Sequence, residues 1–324
     1  MRLRVFKDDT AFDFFKRANL TMGLSILLTI ASLVLVAVNG LNFGIDFRGG
    51  TVITTETPED VPTGDYREVL SGLNLGDVTV SQINDPASAV TGDEQHAAMI
   101  RIEQVGEDSV QTEAIASAQA ALTEAFPGIT FQSVESVGAK VSQELIWKGT
   151  MALVGALAVV MIYIWFRFEW QFAVGAVASL LHDLIVTFGL FSLFGLEFNL
   201  SIIAALLTIV GYSLNDTVIV FDRVRENLRK YKKMELYGIL NLSINETLSR
   251  TFMTSFTTLI ALIAMVVLGG EVIRGFTLAM IWGVFTGTYS SIWVASDIVR
   301  RLGVDRRDKA ERARAGTQFA GIDA

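Results

Sequence analysis

Six apolar runs divide this chain, each about 17 to 23 residues long, against the roughly 20 residues that an α-helix needs to cross a bilayer. They are Leu20 to Val38, Gly149 to Phe166, Phe172 to Leu193, Leu200 to Phe221, Phe252 to Leu268 and Phe276 to Ile298. Only 19% of the 324 residues are charged, where a soluble domain carries about 25%. The first run follows a basic stretch, as a signal peptide would. It exceeds the usual 7 to 15 residues of a signal core, however, and Ala37-Val38-Asn39-Gly40 is a poor cleavage site, so it reads as an uncleaved helix.

The net charge of −8 conceals an asymmetry that sets orientation. Arg2, Arg4, Lys7, Lys16 and Arg17 precede the first run, Arg223 to Lys233 follow the fourth, and Arg300 to Arg314 follow the sixth. The segment between the first two runs is rich in Asp and Glu. The short loops around Glu197 and Glu271 hold only Arg274 between them. By the positive-inside rule both termini are expected in the cytoplasm and the acidic segment across the membrane. The organisation expected is a cytoplasmic segment 1–19, a first helix 20–38, an extracytoplasmic domain 39–147, five helices within 148–299 and a basic cytoplasmic tail 300–324.

Several chemistries are excluded early. There is no cysteine, so no disulfide, thiolate metal site or thiol nucleophile exists. His96 and His182 are the only histidines, too few for a histidine-rich metal cluster, and no G-x-x-x-x-G-K-[ST] loop is present to cradle a nucleotide phosphate. No catalytic constellation, cofactor, metal or nucleic-acid partner is expected. Any work must draw on another energy source.

The acidic segment has a legible pattern. Thr51 to Glu56 is β-branched and bounded by Gly-Gly and Pro58, a strand signal. Asp65 to Leu73 suits a short helix, Val78 to Ile83 alternates as a half-buried strand, and Asp85 to Gln95 is a loop. Ala98 to Val105 is a further strand, Val110 to Phe126 an Ala-rich helix stopped by Pro127-Gly128, and Ile129 to Val137 a last strand. The order β-α-β-β-α-β predicts a ferredoxin-like α+β domain. Its scattered carboxylates suit a solvated surface, and its role is to bind or move something.

Among the apolar runs, Asp216 is the anomaly. It lies inside the fourth, where a carboxylate at a helix centre costs roughly 2.5 to 3.5 kcal/mol. Ser243 and Glu246 have capping-box spacing, which predicts that the fifth helix starts near Ser243. Arg250 then lies about 10 Å inside it, and Asp216 about 9 Å inside the fourth helix, at matched depth. Ser213, Asn215, Thr217, Thr251, Thr254, Ser255, Thr257 and Thr258 make the surroundings polar. Arg250 as an interfacial cation and Asp216–Arg250 as a static pair are the plain readings. The functional reading is that Asp216 exchanges a proton as Arg250 moves away and returns, with Asn215, Thr217 and Thr254 in support. His182 and Asp183 form a second polar point in the third run, as a satisfied pair or a relay. Gly175, Ala178, Ser179, Gly283, Gly287, Thr288, Tyr289, Ser290 and Ser291 suit close helix packing.

These motifs resemble a known family. Gly44-Ile45-Asp46-Phe47-Arg48-Gly49-Gly50 is similar to the signature opening the extracytoplasmic domain of the SecF branch of the SecD/SecF translocase family. So are Val210-Gly211-Tyr212-Ser213-Leu214-Asn215-Asp216-Thr217, Asn245-Glu246-Thr247-Leu248-Ser249-Arg250-Thr251, Gly269-Gly270 and Gly287-Thr288-Tyr289-Ser290-Ser291. The resemblance runs from Phe12 to Val299. It implies a six-helix fold of the resistance-nodulation-division (RND) type in the bacterial inner membrane. The implied partner is SecD, in an assembly that uses the proton-motive force to help the SecYEG channel export preproteins, with YajC and YidC as further candidate partners. It also implies that Asp216 and Arg250 are the proton-responsive pair. Gly44, Asp46, Gly49 and Gly50 link the first helix to the domain as a hinge. An RND-type exporter half for small hydrophobic molecules and a non-transporting assembly scaffold are the alternatives.

Overall fold

The computed structural model describes residues 11–73, 75–83, 96–103, 108–268 and 270–304. The loop Asp85 to Gln95, Gly269, the basic residues Arg2, Arg4 and Lys7 and the tail from 305 onward therefore lie outside the described residues. Six long helices are apolar enough to cross a membrane: Ala18–Asn39, Ala139–Arg167, Trp170–Phe194, Leu200–Lys230, Leu236–Leu268 and the stretch Ile273–Leu302. The second, fourth and fifth extend well past the apolar runs that betray them in sequence, because their added turns carry polar and charged residues.

The spans divide into an inner and an outer set. The third, fourth and sixth have 56%, 44% and 61% of their most apolar stretch buried, against 11%, 11% and 17% for the first, second and fifth. Small residues explain the inner set, since lipid gives no hydrophobic drive for helices to associate and close backbone approach must supply the contact. A Cβ on Gly287 would come to 2.9 Å of Ser213 Cβ, and one on Gly175 to 2.7 Å of the Ala295 carbonyl. The first span docks by the same device: a Cβ on Gly189 would meet Ser32 Cα at 2.7 Å. Ser192 adds a hydrogen bond to Leu35 O at 2.9 Å, and Tyr289 donates to Thr21 O at 3.0 Å. Before this span, Phe12 and Phe14 donate their backbone N–H groups to Asn245 and Asn241 of the fifth span.

The sixth span is not a plain α-helix. After Gly270–Ser290 it makes a π turn at Ser291–Ala295 and resumes as Ser296–Leu302. Ser296 donates to Ser291 O across five residues at 2.9 Å. The turn brings Asp297 inward, fully buried, where Arg300 and Arg301 donate to its two oxygens at 2.7 and 2.6 Å.

Between the first two spans lies the expected α+β unit. Strands β2 (Gly50–Thr57), β3 (Val78–Ile83), β4 (His96–Ile102) and β5 (Thr130–Val137) form one antiparallel sheet in the order β3-β4-β2-β5. That order, with helices Thr63–Ser71 and Asp108–Ala125 as crossovers, is the split β-α-β arrangement. Ile53, Ile100 and Ile102 are fully buried and meet Tyr66, Leu70, Ala118 and Leu122 from the two helices. Register pairs Ile53 with Ile100 and Thr51 with Ile102, which keeps these side chains in one layer.

The fifth span corrects one expectation. Its helix begins at Leu236, not near Ser243. Ser243 is buried one to two turns inside, donates to Ile239 O at 2.7 Å and receives the Asn227 amide at 3.0 Å. Glu246 reaches across to Arg223 and Asn227 at 2.7 and 2.6 Å. The S-x-x-E spacing is thus a tertiary contact surface on a continuous helix and not a cap.

Candidate functional site

Asp216 sits fully buried on the fourth span. Both of its carboxylate oxygens lack a hydrogen-bond partner. Thr288 of the sixth span and Arg250 of the fifth are near enough to act on it electrostatically. The Thr288 hydroxyl, however, is directed to Val284 O at 2.8 Å and contacts Ser255 Oγ at 2.7 Å. Thr251 of the fifth span is also buried with its hydroxyl unpartnered. The carboxyl is therefore buried with no hydrogen-bond partner on either oxygen. An ionised carboxylate left so would cost several kcal/mol, whereas a neutral acid or an entering water would suit it.

Arg250 itself is exposed and forms no ion pair with Asp216. The static-pair reading finds no contact here. The matched depth does hold, though the depths differ from those expected. Asp216 lies 14 residues before Lys230, and Arg250 lies 14 after Leu236, on consecutive helices joined by a short turn. Each is about 21 Å along its helix from that turn. Of the three supporting groups, Thr217 is buried, Thr254 spends its hydroxyl on Thr251 O at 2.9 Å, and Asn215 is exposed and turned away from the buried face. Thr288 of the sixth span acts on the carboxyl instead. Thr288 carried only a packing reading in the sequence, because its rotation about the sixth helix was not legible there.

His182 and Asp183 behave differently. Asp183 Oδ1 lies 3.0 Å from His182 Nδ1, and its Oδ2 accepts from Ser213 and Ser290, each at 2.7 Å. Ser179 extends the chain to Ser290 at 2.8 Å. One carboxylate thus ties the third, fourth and sixth spans together one turn from Asp216, since Ser213 precedes Asp216 by three positions. His182 Nε2 is buried and unpartnered, and its ring faces Tyr289 at 6.3 Å. Of these two acids, Asp183 is anchored and Asp216 is free.

At the opposite membrane face the glycine motif is fixed more firmly than a free link. Gly44 donates to Phe198 O at 2.9 Å, and strand β1 (Asn42–Phe43) pairs in parallel with β6 (Glu197–Phe198) in the turn between the third and fourth spans. A Cβ on Gly44 would come to 3.2 Å of Asn199 Cβ and against the Glu197 carboxylate, so a side chain there would have to displace the turn between the third and fourth spans. Asp46 accepts the Leu200 N–H at 2.7 Å, filling one of the donors that open the fourth helix. Ser142 donates to Ile45 O at 3.2 Å, and Arg101 of the sheet pairs with Glu197. Gly49 and Gly50 follow with φ of 79° and 124°, angles that other residues rarely adopt. Asp46→Ala should cost about 1 kcal/mol locally, the usual loss at a helix N-terminus. It should show as faster amide exchange at residues 200–203 with the rest of the bundle unchanged.

Residues 117–305 match the family described as protein export membrane protein SecD/SecF, C-terminal, and residues 34–57 match the SecD/SecF GG motif. The chain belongs to the SecD/SecF protein export family. It is 53% identical to the protein translocase subunit SecF of Cereibacter sphaeroides over 324 residues, covering all of this chain and 99% of that one. With SecF of Rhodobacter capsulatus the identity is 52%, over 94% of this chain and 93% of the relative. The protein translocase subunit SecDF of Brucella abortus is 40% identical over 95% of this chain, which spans 39% of that longer protein. Among solved structures, the translocon-associated membrane protein SecDF from Thermus thermophilus superimposes with a TM-score of 0.82 at 33% identity, over 93% of this chain and 40% of its own. The SecD/SecF fold and a multi-pass place in a membrane are thereby shown.

Proposed function

We propose that this chain is the SecF-like half of a proton-driven export machine, with Asp216 as the group that takes up and releases the proton. The observation that carries this reading is a buried carboxyl with no hydrogen-bond partner, beside an exposed arginine on the next helix. Arg250 is the movable counter-charge. While it points away, burial favours the neutral acid; when the helices shift and admit it with water, the carboxylate forms and the proton leaves. No chemical bond in a substrate is made or broken, so the work is mechanical and not enzymatic.

SecD is the partner. The relatives that join both names in one chain support this, because this chain covers only about two fifths of them. The fourth span supports it too: Ala204, Thr208, Gly211 and Asn215 lie exposed along one helix face, small and polar where lipid would favour large apolar side chains. A second helical protein suits that face. We further propose that both termini are cytoplasmic in the inner membrane, that the ferredoxin-like domain receives the preprotein beyond it, and that the complex serves the SecYEG channel, with YajC and YidC as accessory partners.

The test is preprotein export into inverted inner-membrane vesicles, with and without an imposed proton gradient. Asp216→Asn should remove nearly all of the gradient-stimulated fraction while the chain still copurifies with SecD. Stimulation that survives the substitution would overturn the proton role and leave the scaffold reading standing.

A further inference from the structure

At the membrane face that carries the basic residues, the ends of the second and fourth spans enclose an open cleft of about 390 Å³. It is lined by Arg167, Asp222, Arg225, Glu226, Arg229 and Lys230. Four cations share it with two acids, and both acids are already engaged. Asp222 accepts from Arg167 at 2.9 Å and lies 3.8 Å from Arg225. Glu226 is drawn to Arg223, outside the lining, at 2.6 Å. Arg229 has no acid partner among the described residues, and Lys230 rests over the Tyr231 ring at 4.9 Å. Arg225 donates to Arg167 O at 3.2 Å and is pressed by Arg167 and Arg229 as like charges, against Asp222 and Glu169 as opposite ones. The cleft thus holds uncompensated positive charge in a chain whose net charge is −8.

Its height in the membrane is set by its neighbours. Trp165, Phe166 and Trp170 flank Arg167 and are 70%, 85% and 53% exposed, the amphipathic and apolar rings expected where lipid tails meet headgroups. A guanidinium at that level meets phosphodiester oxygens, which its planar fork binds two at a time. We propose that this cleft binds the phosphate of an anionic phospholipid, held by Arg229, Lys230 and the free edge of Arg225, with the acyl chains lying against the aromatic rim.

The 324-residue chain, stripped to phosphatidylcholine and followed by native mass spectrometry, provides the test. Phosphatidylglycerol of the same acyl length should be retained at least about tenfold more tightly than phosphatidylcholine, a preference that Arg229→Gln with Lys230→Gln abolishes. Glu226→Gln, which removes an opposing charge, should tighten phosphatidylglycerol binding, so the proposal stays testable if the double variant fails to fold. Inorganic phosphate at millimolar concentration should not displace the lipid. Equal retention of the two lipids, a double variant that keeps the preference, weaker binding in Glu226→Gln, or displacement by free phosphate would each overturn the assignment.

Discussion

Asp183→Ala should lower the stability of the helix bundle by about 2 to 5 kcal/mol. Asp183 receives hydrogen bonds from Ser213 and Ser290 and contacts His182, so three contacts are lost at once. Interhelical hydrogen bonds in membranes contribute about 0.6 kcal/mol on average and up to about 1.7 each. The remainder comes from leaving two buried hydroxyls and an imidazole without their acceptor. Asp183→Asn keeps one carbonyl acceptor and should lose about half as much. Unfolding in mixed micelles, followed by circular dichroism, measures both. Asp216→Asn supplies the contrast: with no hydrogen bond to lose, it should leave stability unchanged or raise it. If Asp216→Asn were the more damaging of the two, the division into an anchored acid and a free one would be wrong.

Gly287→Leu is expected to be comparably severe. A single Cβ there already lies 2.9 Å from Ser213 Cβ and 3.2 Å from its Cα, on backbone that belongs to the fourth helix. Overpacking of this kind costs about 1 to 3 kcal/mol even for a modest side chain. A leucine must separate the fourth and sixth spans. That separation would break the Ser213–Asp183–Ser290 chain and flood the space around Asp216. Gly211→Leu is the matched control, since a Cβ at Gly211 meets nothing within 4 Å. Gly287→Leu should lower the unfolding midpoint sharply and Gly211→Leu barely. Equal effects would mean that helix propensity, and not close approach, explains the glycine at 287.

Much of this arrangement was readable from residues alone, for physical reasons. A run such as Phe172 to Leu193 has one home, a bilayer, so the number and order of spans follow from length. The strand Val78–Ile83 was legible because its alternation marks one buried face, and the structure begins and ends it at the same residues. Asp216 stood out because an acid in lipid is costly wherever it points. Rotation about a helix axis was not readable. Asn215 and Thr288 exchanged roles for that reason: neighbours in sequence diverge by about 100° around a helix, and only packing decides which faces the acid. Ser243 and Glu246 misled because a spacing of three serves equally for a cap and for two side chains on one face. The β1–β6 ladder joins residues more than 150 apart, and strands of two residues leave no periodic trace. The π turn at Ser291–Ala295 was equally silent.

The junction at Gly138 has a mechanical consequence. Strand β5 ends at Val137 and the second membrane helix begins at Ala139, so one residue separates the sheet from a continuous 29-residue rod. A force applied to the sheet has almost no slack to take up before it turns that rod. The load would arrive within the bilayer as torque, near Gly149, where the rod rests against Ile203 of the helix that carries Asp216.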